Sequence, residues 1–148
     1  MDKETIKKAE EIIASKANYI GDSMEGYAVL ALNDESGYPS ASALTIAKSD
    51  GIKMITFTTK PDSNKAMRVA KCNRASVCIA SKEYNITLVG KIEIVENLED
   101  KRNTWCEPMQ HMWSGYDDPT FCVLRFSTER YSIFLAYDDE AAKAIGEI

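Results

Sequence analysis

A single histidine in 148 residues leaves little room for chemistry that depends on imidazole. A Ser-His-Asp hydrolase would have to use His111, and no G-x-S-x-G elbow accompanies it. The four cysteines, Cys72, Cys78, Cys106 and Cys122, form no C-x-x-C pair and no other zinc-type spacing. They are expected as small apolar packing residues in a reducing compartment, and no metal site is expected. Neither G-x-G-x-x-G nor a Walker A loop occurs. An excess of positive charge is missing too: 18 Lys plus Arg stand against 23 Asp plus Glu. The resulting net charge of −5 repels phosphate backbones in the absence of a segregated basic face, so no nucleic-acid partner is expected. The longest apolar runs, such as Tyr27 to Leu32, fall far short of the roughly 20 residues that span a bilayer. The start, Met1-Asp2-Lys3-Glu4, carries no apolar segment of the secretory type, and the expectation is a soluble, cytoplasmic protein with no membrane partner. If the chain is an enzyme, a borrowed cofactor does the hard chemistry.

What is present supports a core. With 45% hydrophobic residues, the chain is expected to fold as one domain over residues 1–148. Ile6, Ala9, Ile12, Ile13 and Ala17 recur at helical spacing, with Asp2 as an N-cap. Tyr27 to Leu32 reads as a buried strand running into the turn Asp34-Glu-Ser-Gly37, and a second arm covers Pro39 to Ala47. Asp50-Gly51 then starts a third strand, Ile52 to Thr58. Strands joined by such short turns must be antiparallel.

Ser63 to Cys72 is predicted as a helix, Ser76 to Ala80 and Asn85 to Val95 as strands, and Leu98 to Trp113 as helix again. Ser114-Gly-Tyr-Asp-Asp-Pro119 breaks that helix. Phe121 to Phe126 and Tyr131 to Ala136 read as a last hairpin, and Asp138 to Ile148 as a short terminal helix. This pattern predicts a mainly β fold with inserted helices, a six-stranded antiparallel barrel, closed or nearly closed, because closure removes exposed strand edges. A split sandwich is the alternative.

The richest segment is Phe57-Thr-Thr-Lys-Pro-Asp-Ser-Asn-Lys65. It sets hydroxyls, an amide and two ammonium groups where a strand hands over to a helix, whose first N–H groups and positive dipole end lie there. A cation in a first helical turn is misplaced by about 0.3 to 1 kcal/mol, so Lys65 fits best if an anion sits between it and the helix end. The alternative is that Lys60 and Lys65 are solvated and Ser63 only caps the helix.

Thr59-x-x-x-Ser63-x-Lys65 directly after an apolar strand resembles the phosphate-binding signature of the pyridoxamine 5′-phosphate oxidase-like, FMN-binding split-barrel family. Gly37-Tyr-Pro39, Leu88-Val-Gly90-x-Ile92 and Trp113-x-Gly115-x-Asp-Asp-Pro119 are similar in order and spacing to its short general-stress-protein branch. The resemblance runs from about the first helix to the last hairpin. It implies a homodimer with one FMN in each of two clefts at the subunit interface. The phosphate would lie against Thr59, Ser63, Asn64 and Lys65, with Ser42, Ala43 and Leu44 beside the flavin, Phe57 and Thr58 along it, and partner-subunit aromatics, Trp113 first, flanking the ring. Trp105 and Trp113 also read as core-facing helix residues.

Two departures stand out. Where members of the family commonly carry an arginine in an R-x-M pattern on the second strand, this chain has Ser42-Ala43-Leu44, and the tryptophan near the end of the last strands is replaced by Tyr131 and Phe134. The basic substrate-binding residues of authentic pyridoxamine 5′-phosphate oxidases are missing as well, so vitamin B6 synthesis is not expected. The resemblance thus implies a flavoprotein oxidoreductase with a stress-related role. A non-catalytic module for flavin, haem or deazaflavin and a flavin-free dimeric barrel are the alternatives. Tyr84, Tyr116 and His111 read as packing or surface residues, and no catalytic acid or base is assigned.

Overall fold

The computed structural model describes residues 2–17, 27–137 and 140–148. Helix α1 spans Asp2–Lys16 and seats Ala9 and Ile13 in the core. Strands β1 (Tyr27–Asn33), β2 (Pro39–Asp50) and β3 (Met54–Thr59) follow as an antiparallel meander. Its two turns carry the positive-φ glycines Gly37 and Gly51, at +82° and +55°, where a side chain would strain the backbone. After α2 (Asn64–Lys71) come β4 (Arg74–Ala80) and β5 (Tyr84–Val95). Then α3 (Leu98–Thr104), a 3₁₀ turn at Glu107–His111, β6 (Cys122–Tyr137) and β7 (Glu140–Glu147) complete the order.

The strands pair in the order β3-β2-β1-β4-β5-β6-β7, and a further β3–β6 pairing closes the first six into an antiparallel barrel. The predicted barrel is borne out. Its interior holds Leu30, Ile55, Phe57, Val77, Ile86, Leu88, Ile92, Leu124 and Phe126, all essentially inaccessible to solvent. A smaller second core gathers Ala47, Val95, Met109, Trp113, Phe121 and Val123 under the 3₁₀ turn. A bulge feeds it. Ile46 pairs with Phe57 and Lys48 with Thr56, which leaves Ala47 out of the ladder and buried against the second core.

Three expectations are corrected. The last hairpin is one continuous strand, β6, because the twelve-residue β5 pairs along almost all of it and Ser127–Arg130 bends at a bulge instead of turning. The terminal helix is strand β7 over Glu140–Glu147, with 138 and 139 outside the described residues. Its Ala-rich sequence favours helix, but pairing with β6 buries Ala144 and sets Gly146 so close under Tyr131 that a Cβ would meet the phenol oxygen at 2.6 Å. The helix predicted to reach Trp113 stops at Thr104, since the Pro108 ring would clash with the Thr104 carbonyl in a continued helix; Pro108 opens the 3₁₀ turn.

Candidate functional site

The barrel is closed unevenly. β2 pairs with β1 from Pro39 to Thr45, but its pairing with β3 begins only at Ile46, opposite Phe57. Beyond that rung β3 continues as Thr58 and Thr59, paired with β6 alone. The two strands therefore diverge, and a cleft of about 370 Å³ occupies the gap. Leu44 and Thr45 line it from β2, and Thr58 and Thr59 from β3.

Its polar end comes from the loop into α2, where Lys60, Asp62 and Ser63 join Thr59. Ser63 is the N-cap: its hydroxyl accepts from the Ala66 N–H at 3.1 Å and from the Thr59 hydroxyl at 2.9 Å. This capping satisfies one of the first amides of α2 and fixes both hydroxyls at the cleft. The first turn of α2 holds no acidic residue and begins Asn64-Lys65, so the cationic side chain at the positive end of the helix is real.

The apolar end comes from Met112 and Trp113. Trp113 is almost wholly buried, stands edge-on to Phe121 at 5.1 Å and donates its indole N–H to the Thr120 carbonyl at 2.9 Å. Trp105 meets Phe121 from another side at 5.2 Å. Asp118 organises the intervening turn, accepting from the backbone N–H groups of Ser114 and Thr120 and from both their hydroxyls. These bonds, the backbone ones foremost, hold its carboxyl down at about 2. Trp113 is thus a core residue and a cleft wall at once.

A family model described as pyridoxamine 5′-phosphate oxidase like matches residues 16–145. The chain belongs to that family. No curated protein matches it in sequence. Among solved structures, a Clostridium acetobutylicum protein related to general stress protein 26 is 22% identical, with a TM-score of 0.78 over 98% of this chain and 96% of the other. General stress protein 26 from Bacillus anthracis is 14% identical, with a TM-score of 0.68 over 96% and 98%. A haem binding protein from Mycobacterium smegmatis is 20% identical, with a TM-score of 0.69, covering 95% of this chain and 57% of that one. These likenesses establish a shared fold.

Within this member of the pyridoxamine 5′-phosphate oxidase-like family, the cleft gathers Leu44, Thr58, Thr59 and Ser63 from the predicted set, together with Trp113, which lines the cleft of its own chain where the resemblance implied the partner's. Phe57 is not among its walls: its side chain is fully buried inside the barrel. Ser42 and Ala43 lie exposed on the stretch of β2 that runs past β3, and Asn64 and the half-buried Lys65 sit in the first turn of α2 beside the lining. Lys60, named in the segment but not in that set, also lines the cleft, and sequence reasoning missed Thr45, Asp62 and Met112. Asp62 lay inside the segment already singled out, whereas Thr45 and Met112 are set by where β2 leaves β3, which no local pattern encodes. Gly90, part of the Leu88–Ile92 motif, is structural: a Cβ there would stand 2.0 Å from the Ser127 carbonyl oxygen at the β5–β6 bulge.

Proposed function

We propose that the chain binds FMN in the split between β2 and β3 and acts as a homodimeric flavin-dependent oxidoreductase of the general-stress-protein type. The observation that carries this reading is the division of the cleft into a hydroxyl- and ammonium-bearing end at the start of α2 and an apolar, aromatic end at Met112 and Trp113. A phosphate at the first end and a fused ring at the second match that division. The residues present fit the group. Ser63 would donate its hydroxyl hydrogen to the phosphate, Thr59, whose own hydroxyl hydrogen goes to Ser63, would hold that hydroxyl in place, and Lys60 and Lys65 would neutralise the dianion. Leu44 and Trp113 would hold the ring and keep water from one side. Bound flavin supplies electron acceptance and donation, so the protein's own task is orientation, solvent exclusion and tuning.

Dimerisation is supported by the outer surface of the sheet. Ala43, Val29, Cys78, Thr87, Ser132 and Ile145 stand in register across six strands, and this rung carries no charge. Val29, Ile145 and, one rung away, Phe134 are exposed. A row of small and apolar groups on an open sheet face suits a second copy of the same face.

The test is spectroscopic, followed by titration. Freshly purified protein should show a flavin spectrum and release FMN on denaturation. A Soret band instead would favour haem, for which Met112 is the thioether on the lining and the Mycobacterium smegmatis neighbour the precedent. Lys65→Ala should weaken FMN by about 1.5 to 3 kcal/mol and Lys60→Ala by a similar amount, while riboflavin, lacking the phosphate, is nearly unaffected. Equal losses for both ligands would remove the phosphate assignment. A flavin that is held but never reduced by any donor would leave a binding module.

A further inference from the structure

We propose that a second cavity, beside the Gly90 bulge, binds a small anion carrying two or more negative charges, of the phosphate-ester or polycarboxylate class. This cavity measures about 500 Å³ against about 370 Å³ for the cleft and shares no residue with it. Three cations line it: Arg74 from β4, Lys91 from β5 and Arg130 from β6.

The placement of Arg74 beside Lys91 is electrostatically costly as it stands. Arg74 and Lys91 are direct cross-strand partners, and like charges facing each other across a ladder repel. Arg130 sits across from Val89 on one side, on the rung next to the bulge, and across from Glu147 of β7 on the other, with no ion pair formed between them. One carboxylate lines the cavity, Glu129, and its ion pair with Lys91 is long, at 3.8 Å, with both side chains more than half exposed. Such a pair contributes little. Among the described residues, neither Arg74 nor Arg130 has a carboxylate within ion-pairing distance.

In a chain of net charge −5, surface cations are expected beside carboxylates. Here three of them share a concavity with only one acid. The polar residues Ser76 and Asn33, the latter donating from its amide to Cys72 Sγ at 3.5 Å, line the same hollow. The bulge makes the space: Gly90 pairs with Thr128 and Val89 with Arg130, so Glu129 drops out of the ladder and the strands part locally. Two guanidiniums and an ammonium around a polar hollow form a fork-and-point arrangement suited to an oxyanion with separated charges.

Calorimetric titration of the full chain tests this, with inorganic pyrophosphate and citrate as probes for the two classes. Saturable binding of one probe per chain is expected, weakening as added salt screens it. Arg74→Ser and Arg130→Ser should each lower affinity about tenfold, Arg74→Lys should recover part of it, and Lys65→Ala should leave it unchanged. The stronger probe identifies the class. Unfolding curves of the variants should overlay the wild type, since both arginines are exposed. Heats that ignore both arginine substitutions would overturn the proposal. So would loss of binding in Lys60→Ala and Lys65→Ala, which would put the probe in the flavin cleft. So, too, would the absence of binding together with a changed sedimentation of Arg74→Ser, which would assign these cations to a partner copy's carboxylates. The arginine-dependent event is read separately from flavin binding, since any further event at an empty cleft would respond to Lys60→Ala and Lys65→Ala and not to the arginine substitutions.

Discussion

At the residue scale, Asp118 shows how a side chain outside the cleft fixes one of its walls. Its carboxylate gathers four donors from Ser114 and Thr120, and the Thr120 carbonyl in turn receives the Trp113 indole N–H. The folded-state value near 2 lies below the ordinary 3.8, so the anion stabilises the turn in full above 3.8, and that contribution disappears as pH falls through about 2. In a Trp105→Phe background, Trp113 fluorescence should therefore change between about pH 4 and 2 while the strands remain folded. Asp118→Asn should show the altered emission already at neutral pH and lose that acid transition. An unchanged acid transition in Asp118→Asn would show that another group holds the turn. Cys72 presents the same physics with a different group: the Arg74 backbone N–H, the Asn33 side chain and the Arg74 charge pull its thiol below the ordinary value, whereas burial pushes Cys106 and Cys122 up.

At the scale of elements, the site exists because paired strands part company at defined points. The β5–β6 bulge depends on Gly90, where a Cβ would lie 2.0 Å from a backbone oxygen that cannot swing aside. Gly90→Ala should accordingly cost about 2 to 3 kcal/mol in denaturant unfolding, and a loss below about 0.5 would mean that β6 shifts freely past β5. Much of this layer was legible. The turns at Gly37 and Gly51, the Ser63 cap and the alternation of β5 are local signals and appear where the sequence places them. The continuity of β6 was not, because Ser-Thr-Glu-Arg looks like a turn until β5 and β3 are there to pair with it. β7 was misread for the same reason, as helix propensity yields to a free strand edge and to a core that accepts Ala144. The polar end of the cleft was legible since Thr59 to Ser63 is contiguous in sequence, while the cleft itself follows from β2 diverging from β3 after Phe57.

At the scale of the whole molecule, the cleft and the outer sheet face meet on β2. Leu44 and Thr45 line the cleft, and Ala41 and Ala43 stand on the rungs of Ala31 and Val29. A second copy docked on that face would therefore lie next to each cleft, and flavin affinity and dimerisation should be coupled. Val29→Arg is the sharpest probe, because Val29 is already exposed in one chain and its substitution alters no barrel interior. A charge placed in the middle of an apolar interface costs about 2 to 5 kcal/mol of association, so sedimentation at micromolar concentration should move from two chains per particle to one. FMN and riboflavin should then weaken together, since what is lost is a wall beside the ring. That outcome contrasts with Lys65→Ala, where only the phosphate-bearing ligand responds. If Val29→Arg still sediments as a dimer, the interface lies elsewhere. If it becomes a monomer that binds FMN as tightly as before, the cleft between β2 and β3 is complete within one chain, and the partner has no part in holding the cofactor.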